Sequence, residues 1–259
     1  MTKWIATIYL AAWSGLLQSA HAVDKVVRIA ATEWPPYAGA ALPENGLSSA
    51  IAAAALAKLG YTLKIEYFPW TRAVMLGERD NRYDGYFPAY YTEDRAKRCH
   101  FSTSLGTSPI GFAYLKQLPF EWHNMEDLTD IPIGVVKGYA NGEAFDTAMR
   151  SKRLQAVDEA VDDATNLRKL AGGRLRLAVV DRNVMYYLFA STPKLKPERN
   201  GIAFHPKLLS NLSIHICFKQ TQQHRILQER FDETLRGMHI PALESRYLKH
   251  FSEDSGNPR

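Results

Sequence analysis

Two hydrophobic rhythms alternate along the chain, and each predicts an element. VVRIAA (Val26 to Ala31) is an apolar run of the length of a short buried strand. A turn-forming aromatic segment, TEWPPYAGA, follows it. Ser48 then stands where it can cap an alanine-rich helix, SSAIAAAALAKLG. Ile51, Ala55, Leu56 and Leu59 fall on one face of that helix, and Gly60 stops it. TLKIEY alternates, with Leu63, Ile65 and Tyr67 on one side, as a strand does. Pro69 sits where the first turn of the next helix, PWTRAVMLGERDN, tolerates it. YDGYF reads as a third strand. The order β-α-β-α-β implies parallel strands joined by helical crossovers.

The same grammar recurs in the middle of the chain. IPIGVVKG predicts a strand ending at Gly138, and residues around Gly142 to Met149 a helix. RLQAV is a strand, DDATNLRKLAGG a helix, LRLAVV a strand and DRNVMYYLFA a helix. Two separate runs of alternation predict an α/β fold with two doubly wound lobes. TSPIGFAYLK, between the runs, predicts a strand that crosses from one to the other. TPKLKPERNG reads as a Pro- and charge-rich surface loop, and LSIHICFK as one more strand. Two helical segments follow, one carrying Ile226, Leu227, Phe231 and Leu235, the other PALESRYLKHF; SEDSGNPR is expected to fray.

The first residues do not fit this scheme. MTKWIATIYLAAWSGLLQSAHA places Lys3 before the apolar run Trp4 to Leu17 and ends on Ala20-His21-Ala22, a small-x-small cleavage pattern. A bilayer span needs roughly 20 apolar residues, and this run is shorter. Residues 1–22 are therefore expected to be a cleaved secretory signal peptide, so the mature chain is expected to be soluble and exported. Of the 259 residues, 46% are hydrophobic, enough for one large or two small cores. Lys and Arg number 32 against 27 Asp and Glu, a mild excess spread along the chain. No basic run of the kind that neutralises a phosphate backbone is present, so nucleic acid is not an expected partner. Export permits a disulfide between Cys99 and Cys217, although nothing in their spacing shows that they meet. The histidines show no zinc-site spacing, and neither metal nor cofactor is expected.

In an open parallel sheet, ligands bind beyond the carboxyl ends of the strands. Trp34-Pro35-Pro36-Tyr37 follows the first strand and Phe68-Pro69-Trp70 the second. Phe87-Pro88-Ala89-Tyr90-Tyr91 and then Thr92-Glu93-Asp94-Arg95 follow the third. In the second run, Gly138-Tyr139-Ala140-Asn141 follows one strand and Asp181-Arg182 another. Facing edges of this kind would make a cleft lined by rings, an arginine and an aspartate, suited to a small polar ligand with a flat or apolar part. Each residue also has a purely structural reading. Arg95 can pair in solvent with the acids beside it, Asp181 can serve as a helix N-cap, and Trp34, Tyr37 and Trp70 can be core rings.

YDG, then T-x-D-R, then F-S, resembles the type II periplasmic solute-binding proteins, specifically the family that binds polar amino acids. EWPPY, GL before the first helix, VVKGYA and GRLRLAVVD extend the resemblance from about Val26 to Phe251. It implies two α/β lobes joined by two crossings and closing on ligand by hinge motion. The first lobe would comprise residues 23–108 and 210–259, and the second residues 109–209. By the same resemblance Arg95 grips a ligand carboxylate through its two-pronged guanidinium. Asp181 takes the α-ammonium from the opposite lobe, and Trp34 and Trp70 sandwich the side chain. Pro88 and Tyr90 stand where relatives place Ser or Thr, and Gly138-Tyr139 replaces a Gly-Ser/Thr pair. Phenols thus replace small hydroxyls, and an aromatic acid or another small amphiphile is expected. Cys99 and Cys217 would lie near adjoining strands of the first lobe.

The implied function is capture of a small carboxylate-bearing, amino-acid-like solute by a monomer that serves an ABC-type importer or a membrane sensor. The rival is a dehydratase-like enzyme on the same fold. For that chemistry Asp181 and Glu33 are the visible candidates for a general acid, and no Ser-His-Asp or Cys-His arrangement is apparent.

Overall fold

The computed structural model describes residues 25–244 and Tyr247. The expected signal peptide, most of the PALESRYLKHF segment and the expected frayed tail lie outside the described residues. In chain order the first elements are β1 (Lys25–Ala31), α1 (Leu47–Lys58), β2 (Tyr61–Tyr67), α2 (Trp70–Arg79), β3 (Gly85–Tyr90), α3 (Glu93–Ala96), β4 (Cys99–Phe101) and β5 (Thr107–Leu115). Then come β6 (Ile133–Val136), α4 (Glu143–Arg150), β7 (Val157–Ala160), α5 (Asp163–Ala171), β8 (Leu177–Asp181) and α6 (Arg182–Ser191). The chain continues through β9 (Ile202–Phe204), β10 (Ser210–Lys219) and α7 (Gln222–Arg236).

The strands form one path in the order β2-β1-β3-β10-β5-β8-β6-β7, with β4 added to β10 and β9 to β5. β1 is parallel to β2 and β3, and β6 is parallel to β7 and β8. Each parallel trio is thus a β-α-β unit of the kind the alternation predicts. The long strands β5 and β10 are antiparallel to their neighbours and bridge the halves. Ser210–Ser213 of β10 pair with β5, and Ile214–Phe218 pair with β3. Cys99 and Cys217 form a disulfide between β4 and β10, with Cα atoms 5.5 Å apart.

The structure shifts several expected elements. Ser48 does not cap α1. The N-cap is Gly46, at φ +104°, and the first helical N–H groups are satisfied by carbonyls of the preceding aromatic turn. Leu47 N donates to Pro36 O at 3.0 Å and Ser48 N to Tyr37 O at 3.0 Å, which leaves Ser48 buried inside the first turn. A Cβ at residue 46 would stand 2.5 Å from Tyr37 O, so this junction requires glycine. The third strand starts later than YDGYF and runs through Pro88 to Tyr90. Between the Tyr86–Cys217 and Ala89–His215 pairs, two residues of β3 oppose Ile216 alone. The missing N–H of Pro88 falls in that bulge, where the ladder does not need it.

The strand expected at RLQAV begins only at Val157 and runs to Ala160. Leu154 turns into the core beforehand, and β6 selects the register from Val157 onward. The segment expected to be a surface loop contains a single 3-10 turn, Lys196–Asn200, and leads into β9.

Candidate functional site

The carboxyl ends of both parallel trios meet around two small adjoining cavities. The larger, of about 20 Å³, is lined by Thr32, Trp34, Trp70, Pro88, Tyr90, Arg95, Tyr139 and Ala140. The smaller, of about 10 Å³, shares Trp34, Tyr90, Tyr139 and Ala140 and adds Asn141, Asp163 and Asp181. Trp34 and Tyr37 leave β1 on a turn closed by Tyr37 N and Ala38 N donating to Trp34 O at 3.0 and 3.1 Å. Their rings stack at 4.6 Å, and Tyr90 meets Trp34 edge-on at 5.6 Å. Trp70, at the start of α2, meets Tyr139 edge-on at 5.9 Å. The aromatic wall thus draws on both halves of the sheet.

Arg95 lies in α3, behind the N-cap Thr92, and is only 8% exposed. Asp94, its chain neighbour, pairs with Lys97 instead. Among the described residues no acid lies within ion-pair distance of Arg95. Nη1 donates to Tyr90 O at 3.0 Å and Nη2 to Gly138 O at 2.9 Å, and the guanidinium carbon sits 5.2 Å from the centre of the Trp70 ring. Burial pulls the guanidinium below its usual pKa. Trp70 Nε1 also donates to Gly138 O, at 2.9 Å. One carbonyl of the second trio, after β6, therefore takes two donors from the first.

Asp181 closes β8 and caps α6. Its Oδ1 accepts from Asn183 N at 2.6 Å and Val184 N at 2.9 Å. Its Oδ2 accepts from Tyr37 Oη at 3.1 Å and from Ser108 Oγ, which is also bonded to Tyr90 Oη at 2.6 Å. Asn183 Nδ2 donates to Tyr37 Oη at 2.8 Å. Burial raises the Asp181 pKa, against the pull of these donors. Asp163, 6% exposed at the start of α5, is pushed up to about 7, first by burial, then by the charges of Asp181 and Asp162; a Trp34 hydrogen bond opposes the shift. Burial also raises the Tyr37, Tyr90 and Tyr139 hydroxyls.

Trp34, Trp70, Pro88, Tyr90, Arg95, Tyr139 and Asp181, all named from the sequence, line one of the two cavities, and Tyr37 reaches them through Asp181. Arg95 and Asp181 border different cavities that share a wall. Glu33 does not join them: it is exposed and accepts from Ala40 N at 3.1 Å. Sequence reasoning did not single out Asp163, Ser108, Thr32 or the Gly138 carbonyl. Asp163 stands three residues beyond the end of β7, so the strand-end rule would have found it had that strand been placed correctly.

No family model matches the chain, and no curated protein matches it in sequence. Solved structures do match in shape. A histidine kinase sensor domain with similarity to periplasmic binding proteins superposes with a TM-score of 0.73 at 16% identity, covering 87% of this chain and 96% of that one. The chain has the periplasmic-binding-protein fold. An amino acid ABC transporter substrate-binding protein from Streptococcus pneumoniae, bound to L-arginine, gives 0.66 at 17% identity and covers 89% and 94%. An ancestral amino acid-binding protein, a precursor of cyclohexadienyl dehydratase, gives 0.67 at 15% identity and covers 87% and 94%.

Proposed function

We propose that the protein is a periplasmic solute-binding protein that captures a small carboxylate-bearing, amino-acid-like molecule between two lobes and delivers it to an ABC-type importer. Arg95 carries this proposal. A buried guanidinium without a carboxylate is costly, and here its free donors border a cavity walled by Trp34, Trp70, Tyr90 and Tyr139. A ligand carboxylate accepting two parallel hydrogen bonds would supply the missing countercharge, and the rings would hold an apolar part. Pro88, Tyr90 and Tyr139 fill the space that small hydroxyls would leave, which favours a flat or aromatic side chain. The shape shared with amino-acid-binding structures supports this function class. Among the described residues no helix is long and apolar enough to cross a membrane.

The test is a thermal-shift screen of amino acids and small organic acids on protein refolded to strip bound molecules. A ligand at one hundred times its dissociation constant adds about 2.7 kcal/mol. Arg95→Ala should abolish the response, and an undiminished shift in that variant would remove Arg95 from the site. Buried acids with raised pKa also suit a general acid, so a dehydratase-like enzyme is the second reading. Incubation with cyclohexadienyl acids such as prephenate should leave them unchanged; turnover would favour the enzyme.

A further inference from the structure

We propose that Asp163, rather than Asp181, supplies the countercharge for a cationic group of the solute, so that the ligand is a zwitterion with its anionic end on Arg95. This rests on the binding function proposed above and names the ligand class. A carboxylate offers about four acceptor positions. Those of Asp181 are taken by Asn183 N, Val184 N, Tyr37 Oη and Ser108 Oγ, which tie the end of β8 to the first trio and to β5. Asp163, in contrast, is 6% exposed and borders the smaller cavity beside Trp34 and Tyr139.

Its neighbours make a cation welcome. Asp162, the N-cap before α5, and Asp181 from β8 push against its charge, and the described residues give it no ion pair. The other polar side chains at this cavity are Trp34, from the turn after β1, Tyr90, at the end of β3, and Tyr139 and Asn141, from the segment after β6. All are neutral, the two phenols because burial raises them. An ammonium in this cavity would neutralise a buried acid and relieve its repulsion with a second. The Arg95 cavity shares Trp34, Tyr90, Tyr139 and Ala140 with it. Opposite charges therefore flank one set of rings, which fits a small molecule charged oppositely at its two ends.

Calorimetry on the refolded full chain tests this with matched pairs: the proteinogenic amino acids, and the same acids without the amine, such as phenylalanine and 3-phenylpropionate. An amino acid should bind, and its deaminated partner should bind about a hundredfold more weakly. Asp163→Asn should remove most of that preference, read as the ratio of the two affinities measured in the variant. With a carboxyl that titrates near 7, wild-type affinity for the amino acid should fall about tenfold between pH 8 and pH 6, and the variant should be flat. This pH profile needs no variant, so it stands even if Asp163→Asn folds poorly. Full retention of amine preference in Asp163→Asn, or a flat wild-type profile, would overturn the assignment. If deaminated acids bind as well as amino acids and Arg95→Ala abolishes both, Asp163 is not the countercharge but the binding function survives. If neither series binds, both proposals fall.

Discussion

Arg95 and Asp163 are each held in a state that a stability-optimised interior would avoid. Arg95→Met keeps the length of the side chain and removes the buried charge. It also leaves Gly138 O with its Trp70 donor. Replacing an unpaired buried ion by an apolar side chain is commonly neutral or stabilising, so the ligand-free variant should melt within about 1 kcal/mol of wild type. A large loss of stability by denaturant titration would instead mark Arg95 as structural. For Asp163 the folded pKa lies above the unfolded one, so the native state binds the extra proton. Its contribution to stability therefore improves as pH falls from above 7 toward 4. Asp163→Asn should accordingly raise the melting temperature at about pH 8 and lose most of that advantage by about pH 5. An equal shift at both pH values would show that the acid is not strained by its burial.

At the scale of elements, the strand–helix alternation was legible because each element buries one face at its own period. Trp34, Trp70, Tyr90 and Arg95 were legible because they cluster at or just beyond the carboxyl ends of strands. What escaped the sequence depended on tertiary partners. The cap of α1 comes from backbone carbonyls of the Pro36–Tyr37 turn, and no side-chain pattern encodes that. β7 is an edge strand whose Asp158 and Glu159 are exposed, so its short sequence VDEA carries no alternation, and Asp163 was lost with it. The glycine of YDG, in contrast, has a checkable role. A Cβ on Gly85 would stand 2.3 Å from Cys217 O and 2.9 Å from Phe218 Cα, both backbone atoms of the neighbouring strand. Gly85→Ala should cost about 3 kcal/mol in denaturant titration, since one strand must move. The Cys99–Cys217 disulfide closes a loop with a sequence separation of 118. Its removal in a Cys99→Ser/Cys217→Ser double variant should cost about 5 kcal/mol by the chain-entropy estimate, read as a lower urea midpoint.

At the scale of the whole molecule, the structure is closed over its own site. Cavities of about 20 and 10 Å³ do not admit an amino acid, and ligand pockets ordinarily measure roughly 300 Å³ or more. The Gly138 carbonyl holds the two trios together through Trp70 Nε1 and Arg95 Nη2, while Tyr37 joins them through Asp181, which also binds Ser108 of β5. A carboxylate arriving at Arg95 competes with the Gly138 carbonyl for the guanidinium, so capture should require opening first and a new closure afterwards. Ligand would then bind a minor open state. Stopped-flow tryptophan fluorescence, which Trp34 and Trp70 should report, is expected to give a binding rate that levels off with ligand concentration at the opening rate. Trp70→Phe removes one of the two donors to Gly138 while keeping a ring, so it should raise that plateau and tighten apparent affinity modestly by enlarging the open fraction. A rate that rises linearly to the diffusion-controlled range in wild type would show that the resting molecule is already open. The Gly138 contact would then belong to the ligand-bound state alone.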